Sequence, residues 1–150
     1  MARVRFRTGT ALTLIALVAL PVAGCAAGSA VSDHGKVTAG RIGTTVQVEV
    51  APGQRFSLAV DENASVGDSW RMEALPDVAV ASFISDEYEH EGEPGTTGGG
   101  GTRYFVFNAK RPGTTAVTLS NCWRCAVDRV PADEQSRRLS GEATFRITVR

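Results

Sequence analysis

Cys122-Trp123-Arg124-Cys125 is the stretch of this chain whose residue types and spacing could most directly do chemistry. Two cysteines separated by two residues can form a redox dithiol, half of a zinc site or a small structural disulfide. Structural zinc takes four ligands, and the chain offers no second C-x-x-C, only His34 and His90. A thioredoxin-type dithiol sits at a helix N-terminus within a strand–helix–strand unit, which lowers a thiol pKa. Nothing around residue 122 carries a helical period. A disulfide between Cys122 and Cys125, stapling one loop, is then the reading to expect if the compartment is oxidising. Closing so short a loop restricts the unfolded chain by about 2 kcal/mol at most. Its role would be to fix the shape of that loop, and thiol-redox work is the weakest alternative.

The remaining reactive side chains make no catalytic set. His34 stands in a small, polar stretch and His90 inside the acidic run Asp86 to Glu93, so neither pairs with a nucleophile. No metal triad and no nucleotide fingerprint is present, so no enzyme, cofactor or metal is expected. The acidic run lacks the regular ligand spacing of a calcium loop and reads as a solvated face. The glycines Gly98 to Gly101 follow Glu89, Glu91 and Glu93 and precede no helix, which excludes a phosphate cradle.

The third cysteine, Cys25, supplies the compartment. Arg3, Arg5 and Arg7 form a basic start, Ala11 to Leu20 is almost wholly apolar, and Leu20-Pro21-Val22-Ala23-Gly24 leads directly into Cys25. That order is an export signal, too short for a comfortable spanning helix. The small-small-Cys ending resembles the bacterial lipobox. It implies that residues 1–24 are a lipoprotein signal peptide, cleaved before Cys25, whose thiol and new amino group are acylated. Residues 25–40 then read as a lipidated, flexible tether, and 41–150 as a single domain. The protein is expected outside the cytoplasm, anchored to the cell membrane by its lipid. The chain carries 16 basic and 16 acidic residues; loss of Arg3, Arg5 and Arg7 leaves 13 basic against 16 acidic. With no basic stripe left, nucleic acid is not a partner to expect.

The domain alternates with period two. Val46, Val48 and Val50 interleave with Thr45, Gln47 and Glu49, and Phe56, Leu58 and Val60 with Arg55, Ser57 and Ala59. Trp70 and Met72, then Phe105 and Phe107, Val117 and Leu119, and Phe145, Ile147 and Val149 continue it. One apolar and one polar face is the signature of a half-buried strand. Turn signals at Ala51 to Gln54, Asn63 to Asp68, the glycine run and Arg111-Pro112-Gly113 separate the runs. These features predict an all-β, immunoglobulin-like antiparallel β-sandwich of about seven strands. Val78 to Ile84 leaves open which residues face inward, and Trp70 is read as core.

A sandwich gathers its loops at its ends, where binding function sits. Three are distinctive: Asn63-Ala64-Ser65-Val66-Gly67 shortly before Trp70, Gly99-Gly100-Gly101-Thr102 leading into an aromatic strand, and Cys122 to Cys125 after Pro112-Gly113-Thr114. In order and spacing they resemble the chagasin-like (I42 type) inhibitors of cysteine peptidases. That family carries Asn-Pro-Thr-Thr-Gly, Gly-x-Gly-Gly-Thr and Arg-Pro-Trp at these places, and the resemblance covers Thr44 to Arg150. It implies that the three loops stand side by side as a wedge, enter the active-site cleft of a papain-like peptidase and block it reversibly. Asn63, Gly67, Gly99 to Thr102, Trp123 and Arg124 carry the match. Ala64, Ser65 and Val66 replace Pro-Thr-Thr, and the aromatic and arginine of the third loop are shifted. Trp and Arg are also the residue types enriched at interface hot spots. A monomer is expected. The alternative from another class is an adhesion or assembly module that keeps the sandwich and lacks inhibitory loops.

Overall fold

The computed structural model describes residues 33–93 and 98–150. The signal peptide, Cys25 and the first half of the expected tether lie outside the described residues. Eight strands form two four-stranded sheets. The first contains β1 (Lys36–Ala39), β3 (Arg55–Glu62), β5 (Ala81–His90) and β6 (Gly101–Ala109), in the order β1-β3-β6-β5. The second contains β2 (Thr45–Val50), β4 (Asp68–Met72), β7 (Gly113–Trp123) and β8 (Gly141–Val149), in the order β2-β8-β7-β4. Neighbours run antiparallel except β1 beside β3 and β2 beside β8, which are parallel.

The alternating apolar residues meet between the sheets. Phe56, Leu58, Val60, Phe105 and Phe107 from one sheet interdigitate with Val48, Val117, Leu119, Phe145 and Ile147 from the other, all at most 2 % exposed. Trp70 closes the core at one end, 7 % exposed, with its indole Nε1 donating to the Asp61 carbonyl at 2.9 Å.

Three features depart from the expected layout. The tether was expected to reach residue 40, but Lys36–Ala39 is an edge strand, aligned Lys36 to Phe56 and Ala39 to Ala59. His34 belongs to the domain as well: its ring stacks on Tyr104 at 4.0 Å, and its carbonyl accepts from Ser57 Oγ at 2.6 Å. Residues 77–80 form a turn that buries Val80 and leaves Val78 exposed. The strand starts at Ala81 and runs on through Asp86 to His90, so most of the acidic run lies on an edge strand, where charge discourages pairing with another chain. A short helix, α1 (Glu134–Leu139), interrupts the β7–β8 connection, capped by Asp133 Oδ1 accepting from the Ser136 N–H at 2.7 Å. That amide hydrogen bond holds the Asp133 carboxyl below its ordinary pKa.

Candidate functional site at the loop end of the sandwich

Strand register brings the three distinctive loops to one end. Because β3 and β6 are antiparallel with Glu62 opposite Gly101, the first loop (63–67) emerges beside the end of the second (91–100). Because Asp68 lies opposite Trp123, the same first loop emerges beside the third, which opens at Arg124. The first loop crosses from one sheet to the other, so it stands between its two neighbours. The β1–β2 turn (40–44) reaches the same end, since β1 is parallel to β3.

Local hydrogen bonds close the first loop on itself. Ala64–Val66 make one 3-10 turn, and Gly67 (φ 82°) reverses the chain in the left-handed region open to glycine. The Asn63 carbonyl accepts from the Val66 and Asp68 N–H groups at 3.1 and 3.2 Å, and Asp68 Oδ2 accepts from the Asn63 N–H at 3.1 Å. Ser65 Oγ donates to Asn63 Oδ1 at 2.5 Å. Ala64, Ser65, Val66 and Gly67 face solvent at the tip.

The third loop is fastened to the first. Its disulfide joins Cys122 to Cys125, with Cα atoms 5.8 Å apart, around a left-handed Arg124 (φ 48°). The Arg124 N–H donates to the Gly67 carbonyl at 2.8 Å and its Nε to the Val66 carbonyl at 3.1 Å. A Cβ on Gly67 would lie 3.2 Å from Arg124 Cγ, so the glycine permits both the turn and this close approach. The guanidinium also lies 4.5 Å above the Trp123 ring. Trp123 is half-buried and, with Trp70, Ile42, Arg41 and Leu139, lines an open cavity of about 370 Å³ beside the loop.

Of the second loop, Gly98 and Gly99 are exposed, with left-handed φ of 84° and 109°. Gly100 accepts from the Glu91 N–H at 3.0 Å, continuing the β5–β6 hairpin. Gly101 is buried as the first residue of β6, under the Tyr88 ring, and Thr102 is half-buried beside it. Register therefore gathers Asn63 to Gly67, Gly99, Gly100, Trp123 and Arg124 at one surface and sets Gly101 beneath it.

Sequence reasoning did not reach two anchors under these loops. Arg129 (φ 61°) folds the segment after the disulfide back onto the second sheet. Its guanidinium donates to Ser69 Oγ at 3.1 Å and to the Ser69 and Ser120 carbonyls at 3.3 Å. Partial burial, with Arg71 nearby, lowers its pKa from the usual arginine value. Glu62, 2 % exposed, takes two hydrogen bonds from Arg103 at 2.7 and 2.8 Å and one from the Trp70 N–H at 2.7 Å. The hydrogen bond to Glu62 raises the Arg103 pKa. Neither anchor has a local sequence signal, because the partners are distant along the chain. Among the described residues no three of His, Cys, Asp and Glu converge as metal ligands.

An all-β sandwich with three loops gathered at one end, the first and third bonded to each other, defines a binding module. The profile described as chagasin family peptidase inhibitor I42 matches residues 49–138, more than half of the chain. This chain belongs to that family, a family of peptidase inhibitors and not of enzymes. No curated protein sequence matches it. Among solved structures it is similar to the cysteine protease inhibitor EhICP2 from Entamoeba histolytica. That match has 17 % identity and a TM-score of 0.51, covering 77 % of this chain and 95 % of that one. It is also similar to PbICP-C, solved in complex with falcipain-2, at 13 % identity and a TM-score of 0.55, covering 77 % of this chain and all of that one. At such identities the likeness establishes the shared fold.

Proposed function

We propose that this protein is a reversible inhibitor of papain-like cysteine peptidases that inserts its three loops into the active-site cleft. One observation supports the reading above the others: the first loop is hydrogen-bonded to the third through Arg124, so these two loops present a single preordered edge. Preordering lowers the entropy lost on docking. Glycines at 67 and 99 let main chain approach main chain without a Cβ between. Family membership supplies the target class, and PbICP-C bound to falcipain-2 is a structural relative engaged with a partner of its own.

Titration of papain with the mature chain, read with a fluorogenic substrate, tests this. Reversible inhibition with the domain left uncut is the expected result. No inhibition at micromolar protein, or digestion of the domain, would replace the reading with an adhesion or assembly module. Ala64-Ser65-Val66, in place of the family's Pro-Thr-Thr, is the feature that would favour that outcome.

Anchoring through Cys25 is the second part of the proposal. Acylation would hold the domain at the outer surface of the cell membrane, with the chain up to residue 32 as spacer. Cys25→Ser is expected to abolish incorporation of labelled fatty acid into the protein in intact cells, because the acyl anchor, and not the domain, supplies the membrane affinity. Labelling of the variant as strong as that of the unaltered chain would refute lipid anchoring at Cys25 without touching the inhibitor reading.

A further inference from the structure

Buried Glu62 and half-buried Arg103 form a bidentate ion pair that neither the fold nor the three loops explain by themselves. Burying the Glu62 carboxylate and withdrawing much of the Arg103 guanidinium from water is costly, and apolar residues of similar volume stabilise a core as well or better. Such a pair is expected where geometry, more than stability, is at stake. Here it sits where the bases of the first and second loops meet. Glu62 immediately precedes the first loop. Arg103 stands three residues after the second loop, opposite Val60 on the inward face of the same sheet. Glu62 Oε2 reaches across to the other sheet and accepts from the Trp70 N–H, three residues beyond the first loop's far end. Arg103 is held in turn by β5: its guanidinium lies 5.6 Å over the Tyr88 ring, and its Nη1 is 3.6 Å from Asp86. The Tyr88 hydroxyl donates to the Glu62 carbonyl at 3.4 Å, closing the circuit.

We infer that Glu62 and Arg103 are positioning residues: a clamp that fixes the first loop against the second and both against the opposite sheet. The inference rests on the inhibitor reading for its functional consequence, but the clamp itself is a property of the free protein. Arg is the residue suited to this place, since its planar fork satisfies both carboxylate oxygens at once, which a lysine ammonium does not. The third loop is held separately, through Arg124 on Gly67 and Val66. The first loop is thus gripped from both sides, and loss of the clamp frees only its junction with the second.

Two variants test this, Glu62→Gln and the milder Arg103→Lys, which keeps the charge and loses the fork. In the folded mature chain, amide hydrogen exchange at Trp70, whose N–H Glu62 accepts, and at Glu91, whose N–H the Gly100 carbonyl accepts, is expected to speed up about tenfold in both, while exchange in the β2–β8 ladder stays as it was. Inhibition of papain is expected to weaken about tenfold, because the loops must then be ordered on docking. A role in stability alone predicts the opposite pattern. Exchange would rise evenly across both sheets, and the folded fraction would inhibit as well as the unaltered chain. That result would overturn the clamp. If the unaltered chain fails to inhibit papain, the inhibitor reading fails and the exchange experiment still decides the clamp: faster exchange confined to the bases of the two loops supports it, and unchanged or uniform exchange refutes it.

Discussion

Gly101→Ala is expected to lower the unfolding free energy by about 3 kcal/mol and to open the base of the second loop, while Gly100→Ala leaves stability within about 0.5 kcal/mol of the original. The two glycines are neighbours in one run, yet a Cβ meets very different surroundings. At Gly101 it would overlap the Glu89 carbonyl oxygen and come within 2.7 Å of the Tyr88 ring and hydroxyl. The carbonyl is part of the β5–β6 ladder, where His90 lies opposite Gly101 and Glu89 opposite Thr102, so it cannot yield without breaking pairs. Moving Tyr88 instead disturbs the ring against which Arg103 rests. At Gly100 the nearest atom to a Cβ is the Glu62 carbonyl oxygen at 3.6 Å, an ordinary contact. Chemical denaturation of both variants separates the cases. Equal stability of the two would mean that the run is glycine-rich for flexibility alone. The larger effect at 101 would mean that Gly101 serves packing and Gly99 and Gly100 serve the exposed edge.

Most of the sandwich was legible because its strands are half-buried. In β2 and β8 each second residue enters the core, so Val46 to Val50 and Phe145 to Val149 show the alternation plainly. In β3 the alternation of types survives, although Ser57 and Ala59 on the other face are buried too. The strand β1 had no such signature: of its four residues only Thr38 is half-buried, and its place depends on main-chain pairing with β3. The helix α1 spans six residues, too few for a helical period, and Asp133 three residues before Ser136 was its one local sign. At the loop end, glycines and the paired cysteines were visible as spacing. The bonds that brace them were not. Arg124 Nε to the Val66 carbonyl spans 58 residues, and Arg103 to Glu62 spans 41; such pairs exist only once register is set. Arg129 was hidden for a further reason, since a non-glycine residue with φ of 61° is the kind of backbone state that local propensity argues against.

Trp123→Ala is expected to weaken inhibition of papain by about 2 kcal/mol, roughly thirtyfold, with little loss of stability. The argument begins with exposure: Trp123 is half-buried at the end of β7, one face toward the cavity it shares with Ile42 and Leu139, and outside the central core cluster. Removing it should therefore cost less in folding than removing Trp70, which closes the core. Its second neighbour is the Arg124 guanidinium at 4.5 Å, itself fixed by the main chain of Val66 and Gly67. The indole is thus a rigid anchor that needs little ordering when a partner covers it, the condition under which aromatic residues act as hot spots. Removing the disulfide with Cys122→Ser and Cys125→Ser should produce a smaller, separable effect. Arg124 would leave its left-handed conformation (φ 48°) more readily, and the anchor would lose order while keeping its area. The two changes differ in their kinetics: loss of the ring should raise the dissociation rate, whereas loss of the staple should also slow association through the disordered loop. A Trp123→Ala variant that inhibits as strongly as the original would place the binding energy on the first and second loops and leave the third as their brace.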